Sequence, residues 1–231
     1  MKIILATDGS APAEAAERQA CQVSAFVNAE WIVAGVVAPF AAPILGLEPF
    51  GAPIVTEELQ KAFVSQLDAT RAQLEEVVER LQAQGLRASS VLLEGDAVGE
   101  LCALAESERA DVVVVGHRGL SGIQDLFLGS VAKGLVAQCP ASVWIGRPST
   151  HEKSSAGLTA VVGVDGSPGS DCAVDAILQL GSHAFGSVYA FMAIATGSGI
   201  VGVEAPLDPA RRAVLVVVGR VLGRAHLGEE E

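Results

Sequence analysis

From Met1 to about Pro148 the sequence switches repeatedly between short apolar runs and longer helix-like stretches, and this alternation restricts the fold more than any other feature. The strand-like segments are Lys2 to Thr7, Trp31 to Val37, Arg87 to Leu93, Asp111 to Val115 (which holds four consecutive valines) and Ser142 to Ile145. Continuous β-branched runs of this kind suit strands buried on both faces, as in a parallel sheet. Between them lie Ala11 to about Asn28, Thr56 to Gln84, Val98 to Ser107 and Ser130 to Gln138. In the second of these, Leu59, Phe63, Leu67, Leu74, Val78 and Leu81 recur near a helical period. Ser10 can cap the first stretch, Pro12 suits its first turn, and Gly85 ends the second. Strand–helix alternation predicts an α/β fold: an open, Rossmann-like parallel sheet of five strands, helices on both faces, and right-handed crossovers. The stretch from Pro39 to Pro53 is rich in Pro, Gly and Ala and reads as a loop.

After a Ser/Thr-rich linker (residues 149–157), the beginning repeats. Ile4-Leu5-Ala6-Thr7-Asp8-Gly9-Ser10 aligns with Val161-Val162-Gly163-Val164-Asp165-Gly166-Ser167. This predicts a full first domain over 1–148 and a truncated second repeat over 158–231. The second repeat keeps a strand, a helix and a further strand at Ser187 to Ala195, with Val214 to Val218 as a remnant of strand four. Asp165 survives in it, but no phosphate loop follows.

Composition removes several classes of function. A net charge of -12 without a basic cluster repels a phosphate backbone, so no nucleic-acid partner is expected. Cys21, Cys102, Cys139 and Cys172 are widely spaced without a CxxC, and read as reduced thiols of a cytoplasmic protein. The four histidines are isolated, so no metal site is read. Ala184 to Val203 is long enough to span a bilayer, but four glycines and strand-like alternation argue against a membrane helix. The N-terminus shows no signal-peptide pattern.

The chemistry-bearing segment is Gly116-His117-Arg118-Gly119, nine residues, then Gly129-Ser130, a G-x-x-G-(nine)-G-[ST] pattern. Its first glycine follows the valine strand and its last opens a predicted helix. Ligands of open parallel sheets sit just beyond strand carboxyl ends. Glycines let backbone approach a phosphate, and a helix start offers unpaired N–H groups and the positive end of the dipole. A plain helix cap with flexible turn glycines is the structural alternative.

With these residues in view, the chain resembles the universal stress protein family, through Ile4 to Ser10, Leu93 to Asp96, Asp111 to Gly119 and Gly129 to Ile145. The resemblance implies an adenine-nucleotide site taking ATP, with Mg²⁺ as a companion ion. It implies Asp8 on the ribose or adenine side, Val37 packed on the base, and Val115 and Gly116 lining the pocket with backbone groups. It places Gly119, Gly129, Ser130 and Val131 on the phosphates. It also implies a homodimer through the fifth strand. This chain departs from the family in three places. His117 stands where a small hydroxyl residue is common, Asp96 where proline is common, and Asp125 is the single charge from Leu120 to Leu128. Arg118 and Lys133 are candidate phosphate partners. The expected function is an ATP-binding regulatory protein of the stress response that changes an unidentified protein partner. The alternatives are a slow ATP hydrolase or phosphotransferase, for which no Walker lysine or carboxylate cluster is visible, and an interaction module that binds no nucleotide.

Overall fold

The computed structural model describes residues 1–23, 26, 28–39, 57–119, 128–147, 158–163, 167–180, 185–191, 193–196, 199–202 and 217–218. The first unit runs β1 (Lys2–Ala6), α1 (Ala11–Ala20), β2 (Glu30–Val37), α2 (Glu57–Ala83), β3 (Arg87–Glu94), α3 (Ala97–Ser107), β4 (Val112–Gly116), α4 (Ser130–Gln138) and β5 (Ser142–Gly146). These five strands are parallel in the order β5-β4-β1-β2-β3. The five-stranded α/β sheet is therefore the one the sequence predicts. The predicted linker and most of the Pro39 to Pro53 loop lie outside the described residues.

Strand parity divides the core in two. Ile3, Leu5, Trp31, Val33, Val112 and Val114 pack under α1 and α2, against Ala16, Leu74, Val77 and Leu81. Ile4, Ala6, Ile32, Ala34, Val113 and Val115 pack under α3 and α4, against Leu101, Ala105, Ala132 and Leu135. The valine run of β4 is apolar throughout because both of its faces are covered.

Helix α1 is shorter than its sequence suggests. It starts as expected, with Ser10 Oγ accepting from the Ala13 amide at 3.4 Å. It ends at Ala20 rather than near Asn28. The chain then winds through a series of three-residue turns, Val23 N to Ala20 O, Phe26 N to Val23 O and Ala29 N to Phe26 O. These turns drive Val23, Phe26 and Ala29 into the core. Phe26 meets Trp31 and Trp144 edge-on, with ring centroids 6.2 and 5.6 Å away. Its carbonyl accepts the Trp31 indole N–H at 3.2 Å.

A buried ion pair joins α1 to α2. The Arg80 guanidinium grips Glu17 with two hydrogen bonds of 2.8 Å, and the Glu17 side chain is only 7% exposed.

Beyond β5 come β6 (Leu158–Gly163), α5 (Pro168–Leu180), β7 (Phe185–Phe191), β8 (Ala193–Thr196), β9 (Gly199–Gly202) and β10 (Val217–Val218). β6 and β7 pair in parallel with α5 between them, and β8 and β9 form an antiparallel ribbon. Ala160 and Val162 are buried in the same cluster as Trp31 and Trp144. Val217 and Val218 differ from the strand-four remnant expected there. They pair antiparallel with Trp144 and Val143, on the outer side of β5. No helix among the described residues is long and apolar enough to cross a membrane.

Candidate functional site

The strand order turns outward on either side of β1, to β2 in one direction and to β4 in the other. A crevice must open beyond the carboxyl ends of the strands at such a point. One does, with a volume of about 290 Å³, at the lower end of the range usual for small-molecule sites. Its floor is built by Ala6, Thr7 and Asp8 after β1, Ala34 and Val36 of β2, and Val115 and Gly116 of β4. One wall is the start of α3, Ala97 and Leu101. The other is Arg118 and Gly119 with Gly129, Ser130, Val131 and Ala132 at the start of α4.

Each element presents its residues for a local reason. Asp8 closes a turn by accepting the Ser10 amide at 3.0 Å, which fixes its carboxylate at the end of β1. Asp96, at the proline position of the resemblance, caps α3 by accepting the Gly99 amide at 2.9 Å. It thereby starts the helix that brings Ala97 and Leu101 to the cleft.

The two halves of the glycine motif are joined to each other. The Gly129 amide donates to the His117 carbonyl at 2.8 Å, and the His117 amide donates to the Gly146 carbonyl at 2.8 Å. A Cβ on Gly129 would lie 3.3 Å from Arg118 Cα, and one on Gly119 would lie 2.5 Å from Asp8 Oδ2. A side chain at 129 would press on backbone, whereas one at 119 would displace the exposed Asp8 carboxylate. α4 begins at Gly129 with no side-chain cap. The first-turn amides of a helix have no acceptor within it, so they face the cleft beside Ser130 as donors at the positive end of the dipole.

Seven of the eight residues expected at the site line this one cleft: Asp8, Val115, Gly116, Gly119, Gly129, Ser130 and Val131. Val37 does not. It is buried at 3% exposure, and its neighbour Val36 takes the lining position. The cause is parity: Ala34 and Val36 point to the α3/α4 side of β2, and Val33 to the α1/α2 side. Sequence reasoning also passed over Thr7, Ala97 and Leu101. Residues 120–127 of the motif, Asp125 included, lie outside the described residues.

His117 does not line the cleft. It is half-buried, and its Nδ1 is buried without a hydrogen-bond partner among the described residues. Burial pushes its pKa down, the Arg147 and Arg118 guanidiniums add to this, and the Gly146 backbone opposes it. The folded chain thus holds fewer protons than the unfolded chain as pH falls through and below about 6.5, the unperturbed imidazole value. Stability from this residue is present above that pH and is lost on acidification. Urea unfolding from pH 7 down to about pH 5 should show a shallower decline in His117→Gln than in the parent. An unchanged slope would assign the decline to other groups.

An open, doubly wound α/β unit with a cleft at its strand switch, edged by a glycine-flanked helix start, defines the fold as Rossmann-like. Within that class the chain belongs to the universal stress protein family, whose family model matches residues 1–147. It is 29% identical over 144 residues to a universal stress protein of Methanocaldococcus jannaschii, covering 62% of this chain and 80% of that one. It is 32% identical over 146 residues to one of Thermus aquaticus, covering 63% of this chain and 97% of that one. Among solved structures, a universal stress protein from Archaeoglobus fulgidus superposes with a TM-score of 0.58 at 20% identity, over 82% of this chain and 66% of that one. UspA from Lactobacillus plantarum superposes with a TM-score of 0.55 at 17% identity, over 64% of this chain and 97% of that one. These two likenesses concern the fold.

Proposed function

We propose that this chain binds an adenine nucleotide, ATP with Mg²⁺, in the cleft between β1 and β4, and acts as a nucleotide-dependent regulatory protein of the stress response in the cytoplasm. The observation that carries this reading is the mixed lining of the cleft. Val36, Ala97 and Leu101 give it apolar surface that suits a flat base. Arg118, Ser130 and the uncapped start of α4 line it too and suit phosphate oxygens. Asp8 adds an acceptor for sugar hydroxyls or the base edge.

Calorimetric titration of the purified chain with ATP and Mg²⁺, with AMP and GTP as controls, tests the reading. Saturable binding of about one ATP per chain is expected, since the second repeat is proposed to be silent. Two sites per chain would overturn that silence. No binding up to millimolar ATP would transfer the chain to the interaction-module reading. Phosphate release in the same samples measures the alternative of slow hydrolysis.

A homodimer joined through β5 accompanies this proposal. It requires Val217 and Val218 to leave the edge positions that they pair with at Trp144 and Val143. Light scattering at micromolar concentration is expected to give twice the 23.6 kDa chain mass. A monomer would show that the chain's own β10 keeps that edge.

A further inference from the structure

β5 is an outer strand of the parallel sheet, and such a strand presents unpaired N–H and C=O groups to any strand that can reach them. In this chain the strand that reaches them is its own. Val217 and Val218 of β10 pair antiparallel with Trp144 and Val143. Among the described residues, Ser142, Ile145 and Gly146 of β5 have no strand partner on that side. More of the second unit gathers around this edge. α5 comes up beside β10. Ala160 and Val162 of β6 are buried in the cluster that holds Trp144, and Ala173 and Val174 of α5 pack against it. The indole Nε1 of Trp144 is buried there with no hydrogen-bond partner among the described residues. A buried donor without an acceptor disfavours the packing that buries it, so the closed arrangement around β5 is held against a cost.

We propose that β10 is an autoinhibitory strand, covering the β5 edge within one chain and limiting the pairing of that edge with a second copy, a device that rests on the homodimer reading for its partner. Geometry selects the competitor. Two copies of one strand related by a two-fold axis perpendicular to the sheet run antiparallel. Antiparallel is the sense in which β5 already accepts β10. β10 therefore occupies the place that the β5 of a second copy would take. It does so with two residues, whereas β5 itself offers five, Ser142–Gly146. So short a ladder holds the edge reversibly. One net hydrogen bond favours the closed form by about fivefold. Both copies must open before they pair, so the cover weakens pairing by the square of that factor, about 25-fold.

The test is made in the full chain. Val217→Pro together with Val218→Pro removes both amide donors of β10, so the segment cannot rejoin the ladder. Light scattering over a dilution series gives the dissociation constant of the paired form. Hydrogen exchange into the β5 peptide, on samples dilute enough to be monomeric, reads the cover itself. The variant is expected to pair about tenfold or more tightly than the parent, and its β5 amides to exchange faster in the monomer. Val217→Gly together with Val218→Gly should move both readouts in the same direction without the fixed φ of proline. Far-UV circular dichroism checks that the sheet survives in each variant. Equal pairing in the parent and both variants overturns the autoinhibition and leaves the homodimer reading standing. Unchanged exchange of β5 overturns the cover. Faster exchange in the variants, with no pairing by any of the proteins, overturns the homodimer reading and the autoinhibition with it, and leaves β10 as an edge cover alone.

Discussion

Gly119→Val should weaken ATP binding by about tenfold or more, a loss of at least ~1.4 kcal/mol, while the chain stays folded. A Cβ at this position would meet the Asp8 carboxylate at 2.5 Å, so the side chain and Asp8 compete for the same space. Asp8 sits in an exposed turn held by the Ser10 amide, and it can swing away without opening the core. The cost therefore falls on the ligand, which loses both the Asp8 acceptor and the backbone surface at Gly119. Calorimetry with Mg-ATP, alongside a thermal melt, reads the two effects separately. Wild-type affinity in the variant would remove Gly119 and Asp8 from the site. Unchanged behaviour of both proteins, with no ATP bound by either, would favour the interaction-module reading.

Arg80→Ala should cost about 2–3 kcal/mol of folding stability. Removing one member of a buried pair strands the other, which typically costs 3–5 kcal/mol. Here the Arg80 side chain is 47% exposed and water can partly replace it, so the figure falls below that range. Glu17 is the stranded partner, lying against the core beside Cys21 at the junction of α1 and α2. The sharper measurement is the double variant Glu17→Gln with Arg80→Ala. It should be more stable than Arg80→Ala alone, because no buried charge is left without its partner. If the two losses simply add in urea unfolding, the pair contributes nothing through its contact.

The Glu17–Arg80 contact also shows where the sequence stops being readable. The residues are 63 positions apart, and nothing local in an Ala-rich helix distinguishes Glu17 from Glu14, which pairs weakly with Arg18 at 3.4 Å on the surface. Strand positions were legible because β1, β2, β4 and β5 are short apolar runs between polar turns. The same property hid which valine of β2 lines the cleft. A strand covered on both faces shows no alternation, so Val36 and Val37 look alike until the sheet is assembled. The end of α1 was hidden for a related reason. No glycine or proline marks Ala20, and the helix stops because Val23, Phe26 and Ala29 gain more by turning inward than by continuing it. The glycine motif was legible as a pattern, and its cause only in part. Spacing pointed to a ligand, whereas Gly129 also lies close against the backbone at Arg118 and Gly119 against the Asp8 carboxylate.

The hydrogen bond from Gly129 to the His117 carbonyl has a consequence for how such a protein can diversify. The cradle is closed at its two ends, at 2.8 Å, by main-chain atoms that any residue at position 117 would supply. Closing a longer or shorter interval between the ends changes the entropy little, by about 0.6 kcal/mol for each doubling of length. What lies in the chain between Gly119 and Gly129 can therefore change in sequence and in length without altering the groups that close it. Descendants of one ancestral scaffold, or an engineer, can rewrite that interval and keep both closing main-chain atoms.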